Sequence, residues 1–118
     1  MLNVKDKGRL LQIVTYCKRV EEIVKSTNKK EFESDLGIRE MICFNIFQIG
    51  ELAKGLSDDF VRNYNKQPWK EIKGMRDIIA HGYGTIDLEI VWNTAKTNIK
   101  ELYKYIETIL NDSNNIVN

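Results

Sequence analysis

The stretch 38-IREMICFNIFQIGELAKGL-56 decides the fold. Ile38, Met41, Ile42, Ile46, Ile49, Leu52, Ala53 and Leu56 recur at three- and four-residue steps, so one side of a helix collects them. Cys43, Phe44 and Phe47 make a second stripe beside the first. A helix that is apolar over two faces is covered on two sides, either at the centre of a bundle or where it also meets a partner subunit. Strict alternation of apolar and polar residues, the mark of a half-buried strand, is scarce throughout the chain.

Working outward, Leu10, Ile13, Val14, Cys17, Val20 and Val24 share one face of a helix expected over 4–26. The stretch 26-STNKKEFESD-35 breaks the pattern and reads as a loop, with at most a short helical turn around Phe32. Beyond residue 56, Ser57 is suited to cap a short helix over 58–64, with Asp58 and Asp59 at its positive end. Pro68 fits the first turn of the next helix, expected over 68–80, and Gly82 and Gly84 allow the chain to leave it. Asp87 can cap a last helix over 88–111, where Leu88, Trp92, Ala95, Ile99, Leu102, Ile106 and Ile109 alternate steps of four and three. Three long amphipathic helices and two shorter ones predict an all-α, up-and-down helical bundle in one domain over 1–111, with a polar, frayed tail over 112–118.

Composition sets the class but not the partner. The chain has 118 residues, 42% of them hydrophobic, and a formal net charge of +1, which suits a folded globule and names no ligand. Cys17 and Cys43 lie in apolar-periodic segments with no second cysteine or histidine at metal-ligand spacing, so they read as buried reduced thiols, and no metal or cofactor is expected. No apolar run is long enough for a signal peptide or a membrane span, so a cytoplasmic location is expected.

The chemistry concentrates in 75-MRDIIAHGYG-84, which holds the sole histidine, His81. Asp77 lies one helical turn before it and can hold the imidazole. Arg76 and His81 are five positions apart, which is about 140° around an ideal helix, so one helix does not aim both at a single point. A second copy facing the first across a dimer would complete a composite groove. Arginine matches phosphate oxygens, and histidine can take a proton from a ribose 2′-hydroxyl or give one to a leaving oxygen. Together they suit RNA cleavage by internal transfer, a route that DNA, without the 2′-hydroxyl, cannot follow.

The run before this stretch agrees. Arg62, Lys66, Lys70, Lys73 and Arg76 face a single acid, Glu71, and Tyr64 and Trp69 lie among them. Basic groups with aromatic neighbours suit single-stranded RNA. The lysines read equally well as a solvated face, and Trp69 reads better as a core plug. Glu51 admits two readings, a cleft carboxylate that orients Arg76 or an exposed glutamate near a helix end.

Residues 76–83 carry an R-x4-H-x-Y pattern and resemble the HEPN superfamily. The wider run 67-QPWKEIKGMRDIIAHGYGTID-87 and the segment 48-QIGELAKGLS-57 are similar to its HepT-type toxin branch. With the helix pattern, the resemblance spans nearly the whole chain. It implies a helical homodimer whose two motifs line a shared cleft, and a metal-independent endoribonuclease acting as the toxin of a two-gene module. The implied partner is a minimal nucleotidyltransferase antitoxin (MntA-type) that transfers AMP from ATP to the motif tyrosine. Carried over, Arg76 and His81 are catalytic, Asp77 supports them, and Tyr83 is the AMPylation site. The added AMP would block an RNA phosphate by bulk and like charge. The competing reading is a non-catalytic HEPN dimer that binds a nucleotidyltransferase or a nucleotide. Retention of both Arg76 and His81 favours the enzyme.

Overall fold

The computed structural model describes residues 2–67 and 69–117, with all their side chains except those of residues 83 and 113–117. The chain runs through α1 (Val4–Lys25), α2 (Lys29–Ser34), α3 (Leu36–Lys54), α4 (Asp58–Asn63), α5 (Trp69–Gly82), a 3-10 turn (Tyr83–Thr85), α6 (Leu88–Asn93), a π-helical turn (Thr94–Asn98) and α7 (Ile99–Val117). Among the described residues there is no strand, and the fold is the expected all-α bundle.

Side-chain caps set the starts. Asn3, Asn28, Asp35, Ser57 and Asp87 each accept a backbone N–H from the first turn of α1, α2, α3, α4 and α6 respectively. Ser57 and Asp87 fulfil their expected roles. Asn28 and Asp35 explain why the stretch expected as a loop is mostly helix: two caps seven residues apart start α2 and then α3. The short α2 exists to place Phe32, which is fully buried with its ring 5.4 Å from that of Trp92.

The α3 helix is the centre of the molecule, with α1 packed on one side and α5 on the other, while α7 packs on α1. Leu10, Ile13, Cys17 and Val20 of α1 meet Ile42, Ile46, Ile49 and Ala53 of α3 in one buried core with Ile99, Leu102, Ile106 and Ile109 of α7. Full burial of each such aliphatic side chain is worth roughly 1.5–3 kcal/mol relative to exposure. Cys17 and Cys43 are both buried free thiols. Cys43 and Phe47 of the second stripe are covered within the chain, whereas Met41 and Phe44 stay 49% and 55% exposed, so α3 keeps apolar side chains that one chain does not cover.

Three boundaries differ from expectation. The α5 helix does not stop at residue 80 but runs through His81 and Gly82, and no glycine takes a positive φ. The chain leaves it through a tightened turn closed by the Thr85 hydroxyl, which donates to the Gly82 carbonyl at 3.2 Å, so no left-handed glycine is needed. The last helix is interrupted by the π-helical turn at Thr94–Asn98, preceded by a Thr94 hydroxyl bonded to the Ile90 carbonyl at 2.8 Å. It then continues to Val117 rather than ending at 111; the side chains of the expected tail, 113–118, lie outside the described ones. Pro68 also lies outside the described residues.

Trp69 anchors the start of α5. It is buried, its indole N–H donates to the Tyr64 carbonyl at 2.7 Å, and its ring lies 5.6 Å from Phe60. It is the core plug that the sequence favoured, and it holds α5 to the end of α4. No described helix is long and apolar enough to cross a membrane.

Candidate active site

The α5 helix lies against α3 because α3 offers Gly50. A Cβ at Gly50 would clash with Cβ of Arg76 and stand 3.2 Å from the Ile72 carbonyl oxygen. Only the missing side chain lets the two helices approach here, and Arg76 sits at the point of closest approach.

Three groups fix Arg76. Glu51 accepts from its Nε–H, Asp77 accepts from Nη1 at 3.0 Å, and its guanidinium carbon stands 5.1 Å from the centroid of the Phe47 ring. The hydrogen bond to Glu51, and after it the one to Asp77, raises the Arg76 pKa above its already high value. The side chain is 20% exposed, so its remaining N–H groups still reach solvent. Glu51, which the sequence left open, is the residue that orients Arg76.

Asp77 is committed to Arg76, and the expected contact with the imidazole is absent. Among the described residues His81 makes no hydrogen bond or ion pair. A carboxylate beside a permanently charged guanidinium gains a charge-assisted bond that a neutral imidazole does not offer. His81 is exposed and lines a depression of about 570 Å³ between α5 and α6, with Met75, Ile78, Ile86 and Ile90 as its apolar wall. Because α5 stays helical through Gly82, the two groups remain about 140° apart around one helix. One chain does not bring them together.

The four basic candidates separate as well. Lys70 and Lys73 share the solvent side of α5 with Asp77 and His81 by helical spacing. Lys66 instead borders a cavity of about 300 Å³ with Gln67, Glu71 and Glu101. Arg62 is paired with Asp59 on α4. The Tyr83 backbone opens the 3-10 turn, and its side chain lies outside the described ones.

Among the described residues, no group of three or more His, Cys, Asp or Glu side chains is placed to hold a metal ion.

Comparison with known proteins identifies the family. The family model described as Ribonuclease HepT-like matches residues 13–109. The chain is 35% identical over 101 residues to Putative RNase TTE0752 of Caldanaerobacter subterraneus subsp. tengcongensis, covering 86% of this chain and 90% of that protein. It is 33% identical over 106 residues to Putative RNase MJ0125 of Methanocaldococcus jannaschii, covering 90% of this chain and 91% of that protein. It is 29% identical over 96 residues to Probable ribonuclease HepT of Thermococcus cleftensis, covering 81% and 87%. No solved structure matches the chain. A family match over most of the sequence, joined to the clamped Arg76 and the free His81, leads to one conclusion: the chain belongs to the HepT-like ribonuclease family of the HEPN superfamily, and it is an endoribonuclease.

Proposed function

We propose that the chain is the toxin of a cytoplasmic toxin–antitoxin module and cleaves RNA at a cleft shared by two copies. The observation that carries this reading is the division of labour on α5. Arg76 is held against α3, and His81 projects from another face of the same unbroken helix. A second copy supplies the missing neighbour of each. Ile78 on α5 and Ile90 on α6 stand beside His81, and these two, with Met41 and Phe44 on α3, are each about half exposed. Exposed apolar groups in such number suit a subunit contact.

In this reading His81 takes the 2′-hydroxyl proton. The O2′–phosphorus bond forms as the phosphorus–O5′ bond breaks, a proton passes to O5′, and a 2′,3′-cyclic phosphate end remains. Arg76 stabilises the added negative charge on the phosphoryl oxygens. Asp77 supports Arg76, and Lys70 and Lys73, with Lys66 and Arg62 farther off, attract the RNA backbone. The partner is a minimal nucleotidyltransferase antitoxin that transfers AMP to Tyr83.

RNA cleavage in the presence of chelator tests the chemistry. Wild type should cut, and Arg76→Ala and His81→Ala should not; equal trace activity in all three defeats the proposal. Light scattering that finds a stable monomer at micromolar concentration removes the shared cleft. Mass gained by Tyr83→Phe after incubation with partner and ATP removes Tyr83 as the acceptor.

A further inference from the structure

On the side of α3 away from α5 lies a second groove, formed with α1. It has a volume of about 210 Å³ and is lined by Gln12, Thr15, Tyr16, Arg19, Gln48 and Leu52. Only Leu52 of these is aliphatic. Among the described residues the Gln12, Gln48 and Arg19 side chains make no hydrogen bond or ion pair, and the Arg19 guanidinium lies over the Tyr16 ring, 5.1 Å from its centroid. The groove thus offers two amides, a phenol and a guanidinium whose donors and acceptors are open to a ligand.

Charge selects the ligand. Helical spacing puts Lys5, Arg9, Gln12, Tyr16 and Arg19 on one face of α1, three cations with no acid between them. Arg9 lies across Gly55 at the end of α3, where a Cβ would stand 3.1 Å from its guanidinium carbon. Along these faces the next acids are Glu22, one turn beyond Arg19 on α1, and Glu51, one turn beyond Gln48 on α3, which Arg76 already occupies. A cationic edge with amide groups and an aromatic ring matches a phosphodiester strand with unpaired bases.

Along α3 the groove neighbours the clamp on Arg76 through Gln48. Gln48 follows Phe47, the residue under Arg76, and stands one turn before Glu51. The path from Arg76 to Arg19 crosses only the width of α3, on the order of 10 Å.

We propose that the α1–α3 groove binds the single-stranded RNA substrate beside the bond that is cut. Arg19 takes a phosphate, and Gln12, Gln48 and Tyr16 meet the sugar and base edges of the flanking nucleotide. This inference rests on the ribonuclease assignment and adds a subsite that the R-x4-H-x-Y motif does not contain.

Arg19→Glu and Gln48→Glu each place a carboxylate in the groove. Binding of a fluorescent single-stranded RNA of mixed sequence is measured in a His81→Ala background, so that the probe stays intact. Each variant should weaken binding roughly tenfold, and Arg19→Glu should lower the log–log salt slope by about one. With His81 present, KM for the long RNA should rise at unchanged kcat, while a dinucleotide too short to reach the groove is cut as by wild type. Unchanged affinity and KM in both variants overturn the subsite. If Arg76→Ala abolishes cleavage while the groove variants match wild type, the subsite fails and the ribonuclease assignment stands. If wild type neither binds nor cuts RNA, both fall. A drop in oligomer mass with Arg19→Glu marks the groove as a subunit contact and overturns the RNA subsite.

Discussion

Glu51 on α3 accepts the Nε–H of Arg76 on α5, joining residues 25 positions apart across the closest helix contact near the site. With Asp77 on Nη1, two of the five guanidinium N–H donors are spent inside the protein. Phe47 lies under the flat face. The remaining three donors have no partner among the described residues, and the side chain keeps 20% exposure. Arg76 is therefore held in place, and in the proposed reaction the ordering cost of its long side chain would be met before RNA arrives.

Removing the clamp should cost catalysis more than stability. Glu51→Ala frees Nε and lets the guanidinium swing on its stem. A tenfold fall in kcat, about 1.4 kcal/mol of barrier, is expected from single-turnover cleavage. The pair is partly exposed and screened by solvent, so stability should change little. Glu51→Gln keeps an acceptor oxygen and should recover part of the rate. Wild-type kcat in both variants would show that Arg76 needs no clamp.

Two glycines that look alike in sequence should respond with opposite sign. Gly50→Ala drives a methyl into Arg76 and the Ile72 carbonyl, and overpacking of this kind costs about 1–3 kcal/mol. Gly74→Ala meets nothing within 4 Å and only gains helix propensity, which should stabilise α5 by roughly 0.5–1 kcal/mol. Thermal melts of the two variants decide this, and a destabilised Gly74→Ala beside a neutral Gly50→Ala would reverse the account.

The helix pattern was legible because buried faces repeat with the helix period, and the α3 stripe and the α7 seam were read at nearly their true positions. The site was legible only in part. Arg76 and His81 stand out as an R-x4-H pattern within one segment, whereas Glu51 lies on another helix, and nothing local marks which of several exposed glutamates will face an arginine. Asp77 misled because spacing gives a shared face and not a partner, and its adjacent arginine won. The π-helical turn left no signal, since the apolar steps around Thr94 fit an unbroken helix. The covering of Met41 and Phe44 stayed open in the sequence because periodicity does not say whether the covering surface belongs to the same chain, and within one chain both are about half exposed.

Asp6 is a structural lock that no motif announced. It is 3% exposed at the start of α1, and its carboxylate accepts the Ser57 backbone N–H at 3.0 Å and the Ser57 hydroxyl at 2.6 Å. The Asn3 amide donates to it at 3.0 Å. Ser57 in turn caps α4, so Asp6 ties the first helix to the turn after α3. Asp6→Ala leaves these buried donors unpaired and should destabilise the fold by roughly 2–4 kcal/mol. Asp6→Asn keeps the shape, loses the charge-assisted bonds and should cost less. A denaturant melt with an unchanged midpoint for Asp6→Ala would mean the lock carries no load.

Burial of Cys17 should appear as a loss of stability in alkali. Desolvation, with a smaller push from Glu21, raises its pKa from 9.0 to about 12. The unfolded chain releases the thiol proton near the ordinary value while the folded chain keeps it. The unfolded state then binds fewer protons, so stability falls as pH rises. This contribution is fully present below pH 9 and is lost between about 9 and about 12, at no more than about 1.4 kcal/mol per pH unit. Other titrating groups are common to wild type and Cys17→Val, so the difference between the two isolates the thiol. The valine variant should lose stability less steeply from pH 9 upward, as read from urea midpoints. Cys17 should also resist a thiol-alkylating reagent at pH 8 until the protein is unfolded. Parallel pH profiles, or rapid labelling of the native thiol, would place Cys17 outside the sealed α1–α3 core.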